Sequence, residues 1–223
     1  AKDAISYVKR VIETEINSAT DNPLIFVEDK EFLSGGNFMG QPVSVAMDLL
    51  SIALTVIGNL SERRVARLID EKLSAGLPAF LIHREVEKGI NSGFMSTQIT
   101  AASLASENKV LAHPASVDSI STSGNFEDFV SMGSIAARKA MEILRNVESI
   151  LAIELLCAVQ GIDFRGPNKL GRGTKAAYSL IRRKVPTLKE DRVMSKDIEA
   201  IVQLIRSEEL INAVEKAMKS PLS

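Results

Sequence analysis

Apolar residues recur at three- and four-residue intervals from the first turn of the chain. Ala4, Ile5, Val8, Val11, Ile12 and Ile16 fall on one side, with Lys2, Lys9, Arg10 and Glu13 between them, and that spacing predicts a helix. It stops at Asn17-Ser18-Ala19-Thr20-Asp21-Asn22-Pro23, whose short polar side chains capture backbone groups and break regular structure. A short extended piece at 24–27 precedes Ser34-Gly35-Gly36-Asn37-Phe38-Met39-Gly40, a glycine-rich loop that holds two apolar side chains in irregular structure. From 42 to 71 the pattern is helical again. Its first part, 45–60, is apolar on nearly every side and predicts burial in a bundle, whereas Ser61-Glu62-Arg63-Arg64-Val65-Ala66-Arg67 turns charged. Gly76, Pro78 and the stretch 89–93 bracket a loop-rich section.

A helix at 97–111 runs up to His113-Pro114, where proline disfavours helical geometry in the residue before it. A polar loop spans 116–125. The next helix is predicted from 127 to about 161, with Asn125 as its cap and Glu127 and Asp128 at the positive end of its dipole. Val130, Ile135, Met141, Leu144, Val147, Leu151, Leu155 and Val159 form its expected buried stripe. Such a rod is about 50 Å long at 1.5 Å per residue, and its length points to oligomerisation through a helical bundle. Helices at 174–184, 195–207 and 208–218 complete the chain, with Asp191 and Asp197 bracketing the turn that opens the second of them. No repeat or long linker marks a boundary, so residues 1–223 read as a single helical domain, all-α and built as a long-helix bundle.

Composition agrees with that class. Of 223 residues, 45% are hydrophobic and only 4% aromatic, a balance that favours helices packed on helices. Lys and Arg number 27 against 28 Asp and Glu, so no net field steers the chain onto nucleic acid or an anionic membrane. The longest charge-free stretch, 89–106, is too rich in Ser, Thr, Gln and Asn for hydrocarbon. The opening Ala-Lys-Asp lacks the pattern of a secretory signal, and the expected setting is cytoplasmic.

His83 and His113 stand apart, without cysteine or carboxylate at ligand spacing, and read as structural rather than metal-binding. The stretch 166–175 looks like a phosphate loop but has Arg172 and Gly173 where Lys and Ser/Thr belong, so it reads as a helix-entry turn. Cys157 sits in an apolar run where its thiol stays protonated. Glu154, inside the same apolar stripe, requires a cation or donor, and Arg63, Arg64 and Arg67 are the candidate partners. The strongest chemical candidate is the hydroxyl-rich loop ending in Asn125-Phe126-Glu127-Asp128-Phe129, where adjacent carboxylates stand between two aromatic rings.

These segments carry a family resemblance. The chain resembles the C-terminal part of histidine ammonia-lyase, in the aromatic amino acid lyase and aminomutase superfamily. The match runs in family order through 17–23, Gly36-Asn37-Phe38-Met39-Gly40-Gln41-Pro42, Leu60-Ser61-Glu62-Arg63-Arg64, Gly76-Leu77-Pro78, Pro114-Ala115-Ser116-Val117-Asp118-Ser119-Ile120, 125–133, Ala136-Ala137-Arg138 and Gly161-Ile162-Asp163-Phe164-Arg165. The resemblance implies an all-helical tetramer with active sites built from several subunits, and non-oxidative loss of ammonia from an amino acid, with L-histidine giving urocanate. It also implies an electrophile, 4-methylideneimidazol-5-one (MIO), cyclised from Ala-Ser-Gly, and a catalytic tyrosine. This chain contains no Ala-Ser-Gly. Both groups are expected from an N-terminal part or subunit, and the chain alone is not expected to turn over.

By position, the resemblance assigns substrate binding to Phe38 and Glu127, with Met39 and Phe126 beside them. Two departures from the family pattern stand out: Asn-Gln-Glu-Asp-His is replaced by Asn125-Phe126-Glu127-Asp128-Phe129, and Met39 stands where histidine lyases usually carry histidine. Packing of Phe126 and Phe129 in the bundle would account for two of these changes. The alternative function is a non-catalytic helical scaffold or regulatory subunit derived from the lyase fold.

Overall fold

The structure, a computed structural model, describes residues 1–83 and 89–222. Among these residues the helices are α1 (Lys2–Ile16), α2 (Gln41–Ile69), α3 (Met95–Leu111), α4 (Gly133–Arg165), α5 (Arg172–Lys184), α6 (Ser195–Arg206) and α7 (Glu209–Met218). The one sheet is a small antiparallel hairpin of β1 (Leu24–Phe26) and β2 (Glu31–Leu33), with Leu24 opposite Leu33 and Phe26 opposite Glu31. The all-α expectation holds, and the extended piece at 24–27 is the first half of that hairpin. Part of the loop-rich section, 84–88, lies outside the described residues.

The chain forms two compact units, Ala1–Ile57 with Asn108–Leu144, and Gly58–Glu107 with Arg145–Ser223. The second unit has a continuous apolar core. Val65 and Ile69 of α2, Phe94, Ile150, Ile153 and Leu156 of α4, Ile181 of α5 and Ile201 of α6 are all buried in it. Cys157 is buried there too; removal from water, with Glu154 nearby, pushes its thiol well above the usual range, so it remains protonated.

Polar side chains cross this core fully partnered. Gln160 is completely buried; its amide donates to the carbonyls of Leu188 (2.8 Å) and Leu81 (3.4 Å) and accepts from the Leu188 N–H at 3.0 Å. The Asp163 carboxylate accepts from Tyr178 (2.6 Å), Thr187 (2.7 Å) and Arg182 (2.8 Å). The Tyr178 phenol is held above its ordinary pKa, chiefly by that bond to Asp163. Glu154 accepts from Ser61 at 2.6 Å and from Arg64 at 3.1 Å, which selects Arg64 from the three candidate cations. Arg63 instead pairs with buried Glu62 through two bonds of 2.6 and 2.8 Å.

The first unit is built differently. Its buried positions are mostly small or polar: Ala46, Ala115, Ala136 and Ala140 beside Ser44, Asp48, Ser51 and Thr55, with Val8, Leu54 and Ile143 as larger members. Three expectations are corrected here. Within this single chain the 45–60 stretch of α2 is not buried all round, because Val45, Ile52, Val56 and Leu60 line an exposed face. On α4 the predicted stripe fails in its first part, where Ala136, Ala140 and Ile143 face inward while Ile135, Met141 and Leu144 face out, and Val147 and Val159 further along are buried as predicted. Small alanines allow close helix approach, and the periodicity alone weighted the larger side chains too heavily. Finally, α4 begins at Gly133, six residues later than predicted, so Asn125 caps no helix and Glu127 and Asp128 occupy no first turn.

Among the described residues, α2 is the one helix long and apolar enough to cross a membrane by length and composition. Buried core helices share that signature, and Ser44, Asp48, Ser51, Thr55, Ser61 and Glu62 are buried along it.

Candidate functional site

The sequence-predicted site residues fall on two segments of the first unit. The first joins β2 to α2. It is tied back to the turn after α1 by two side-chain amides: Asn37 donates to the Ala19 carbonyl and Asn22 accepts from the Gly35 N–H, both at 3.0 Å. Phe38 and Met39 then stand over an open hollow of about 370 Å³, lined also by Ile12, Ile16, Val43 and the carboxylate-bearing Glu15. That volume lies in the range of small-molecule sites. Phe38 remains 54% exposed, which keeps its ring available to an incoming group.

The second segment is the loop from Ser116 to Met132. At its tip, Thr122 and Glu127 form a two-way backbone pair, with Thr122 N–H donating to Glu127 O at 2.9 Å and Glu127 N–H to Thr122 O at 3.3 Å. The residues enclosed take three successive left-handed conformations, Ser123 (φ 52°), Gly124 (φ 63°) and Asn125 (φ 71°). Left-handed backbone is tolerated by Gly and Asn and costs about 1–2 kcal/mol elsewhere, so Gly124 and Asn125 suit the turn while Ser123 bears that cost. Below it, Val130 N–H donates to Ser119 Oγ at 2.9 Å and Ser121 Oγ to the Asp128 carbonyl at 3.3 Å.

This geometry leaves Phe126 91% exposed and Phe129 44% exposed, so neither ring is explained by packing within the unit. The Glu127 side chain is exposed and makes no hydrogen bond or ion pair among the described residues. An unpartnered carboxylate beside an exposed ring is suited to a cationic or N–H-donating ligand.

The two segments meet at their bases. A Cβ built on Gly40 would lie 3.1 Å from Ser131 Oγ, and one on Gly133 would lie 3.6 Å from the Gly40 carbonyl. Glycine at these positions permits that approach. Phe38 and Met39 share the hollow, whereas Phe126 and Glu127 do not line it.

Sequence reasoning missed Asp48 and Gln41. Asp48, only 4% exposed, accepts the Ser116 N–H at 2.7 Å, and Gln41 donates to the Ser116 carbonyl at 3.1 Å. A lone carboxylate within an apolar run was the available signal, the same one that singled out Glu154.

Comparison with known proteins accounts for these segments together. A family model for aromatic amino acid lyases matches residues 1–183. Histidine ammonia-lyase of Alkaliphilus oremlandii is 60% identical over 219 residues, which are 98% of this chain and 42% of that protein. Among solved structures, histidine ammonia-lyase from Trypanosoma cruzi superposes with a TM-score of 0.89 at 47% identity, over 96% of this chain and 42% of that one. Tyrosine aminomutase from Streptomyces globisporus gives 0.90 at 40% identity, over all of this chain and 41% of that one. The chain thus spans about two fifths of the length of the relatives it matches. It belongs to the aromatic amino acid lyase family and corresponds to a C-terminal part of a histidine ammonia-lyase-like protein.

Proposed function

We propose that this chain supplies one wall of an ammonia-lyase active site acting on L-histidine, with the remainder supplied by an N-terminal lyase part or subunit in a tetrameric, cytoplasmic assembly. The observation that carries the reading is the exposed Glu127 carboxylate, without a partner among the described residues and held by the closed 122–127 turn, in a chain whose relatives include histidine ammonia-lyases. A carboxylate pairs with an imidazole or ammonium group through charge-assisted hydrogen bonds that a purely apolar substrate cannot make.

The MIO group, when present, supplies the electrophile that activates the substrate. Neither site segment contains Ala-Ser-Gly. In this proposal an N-terminal part therefore supplies MIO, and the hollow under Phe38 and the exposed Glu127 support a wall that faces it. On this wall Phe38 and Met39 exclude water from the hollow, Glu127 orients the basic end of the substrate, and Phe126 offers a ring face beside it.

Co-expression with an N-terminal lyase part bearing Ala-Ser-Gly is expected to yield urocanate, followed by its ultraviolet absorbance, while the isolated chain yields none. Glu127→Gln is expected to lower kcat/KM by roughly ten- to a hundredfold, the worth of one hydrogen bond to a charged group. A folded, assembled complex without ammonia release would favour the scaffold reading.

A further inference from the structure

We infer that Asp48 and Gln41 are positioning residues, which grip both polar groups of the Ser116 backbone and so set where the loop bearing Glu127 stands against the Phe38 segment. Positions 41, 44 and 48 follow one another on one helix face. From that face Asp48 Oδ2 accepts the Ser116 N–H and Gln41 Nε2 donates to the Ser116 carbonyl, fixing the peptide on either side of one residue. The far end of the loop is held at the same place, because Ser131 sits against Gly40 and its Oγ accepts the Gly133 N–H at 3.4 Å. Both ends of the loop are therefore anchored on the start of α2, immediately after Phe38 and Met39. Between the anchors, the Ser119–Val130 bond and the Thr122–Glu127 pair carry that placement to the tip.

Burying a carboxylate is unfavourable unless hydrogen bonds compensate. An alanine or leucine at position 48 would serve the helix equally well, so the acid is explained by what it holds. The other carboxylate oxygen of Asp48 (Oδ1), the amide oxygen of Gln41 (Oε1) and Ser44 Oγ are buried without a partner among the described residues. Asp48→Asn keeps one oxygen for the Ser116 N–H and replaces the neighbouring acceptor by a donor, so this conservative variant is expected to preserve the clamp, and Asp48→Ala to remove it.

The consequence for catalysis rests on the proposed role of Glu127; the clamp itself does not. In the full 223-residue chain, Asp48→Ala is expected to speed amide hydrogen exchange at Ser116 and through the loop to residue 131 by roughly ten- to a hundredfold. Exchange in α5, α6 and α7 should be unchanged, and Asp48→Asn should stay within about threefold of the parent. The chain has no tryptophan, so Phe126→Trp places a single reporter at the tip, whose fluorescence anisotropy should fall in the Asp48→Ala background. In the co-expressed lyase, Asp48→Ala should raise KM more than it lowers kcat, and Glu127→Gln should then add little, the signature of coupled residues. Unchanged loop exchange in folded Asp48→Ala, or equal damage from Asp48→Asn, would overturn the inference. If Asp48→Ala does not fold, Gln41→Ala decides, with faster loop exchange expected and no change refuting the clamp. Absence of turnover in every reconstitution would remove the catalytic reading while leaving the exchange result to judge the clamp.

Discussion

The two units of this chain bury different kinds of side chain. One encloses leucine, isoleucine and valine in a continuous core and crosses it with polar groups such as Gln160 and Asp163 whose partners are internal. The other buries alanine, serine and Asp48, and turns Val45, Ile52, Val56, Ile135, Met141 and Phe126 outward. Hydrophobic stabilisation follows the apolar area removed from water, so the first of these arrangements is the better able to sustain itself. The second carries every proposed substrate-binding residue. Its exposed apolar faces fit a region completed by further protein, which is how a site assembled from several chains would be made.

The largest effect that can test this contrast is a cavity in the self-contained core. Ile153→Ala should destabilise the chain by about 2–5 kcal/mol in denaturant titration, and a loss near zero would mean that the core contributes less than its burial indicates. A smaller effect concerns Tyr178. Its pKa is raised in the folded state, so the neutral phenol contributes stability in full below its ordinary value of about 10. That contribution is lost as pH rises through the higher folded value. Tyr178→Phe should therefore flatten the decline of thermal stability above pH 10; an unchanged slope would deny the Asp163 bond that role. The smallest effect belongs to the outward face. Val56→Ser, at a position 62% exposed, should alter the stability of the isolated chain by no more than about 0.5 kcal/mol. Its cost should appear only on assembly, as a weaker association measured by analytical ultracentrifugation.

What the sequence discloses follows the same division. In the self-contained unit, period and chemistry agree: the helix pattern, buried Cys157 and the need of Glu154 for a nearby arginine can be read from the residues, because a charge inside an apolar stripe has few ways to be satisfied, while the choice of Arg64 among three candidates comes from the structure. In the other unit the apolar pattern serves surfaces that this chain does not itself cover. An all-round apolar α2 therefore suggested burial where Val56 is exposed, and Met141 and Leu144 seemed better core residues than Ala140. The start of α4 was misplaced for a local reason. Asn125 followed by two acids reads as a capped helix start, but the backbone pair between Thr122 and Glu127 recruits the same residues into a turn, and that competition is settled by hydrogen bonds to Ser119 and Ser121. Glu127, Phe38, Met39 and Phe126 are proposed from the family pattern, and Asp48 was overlooked although its isolation among apolar neighbours marked it.

The closed turn at 122–127 also bears on how such a protein can diversify. Because its main chain seals the ring beneath residue 126, the side chain at the apex can be exchanged while the neighbouring carboxylate keeps its backbone anchor. Under the proposed role of this loop, recognition could drift by altering one exposed group at a time, and a library confined to position 126 would vary that group without asking the scaffold to refold.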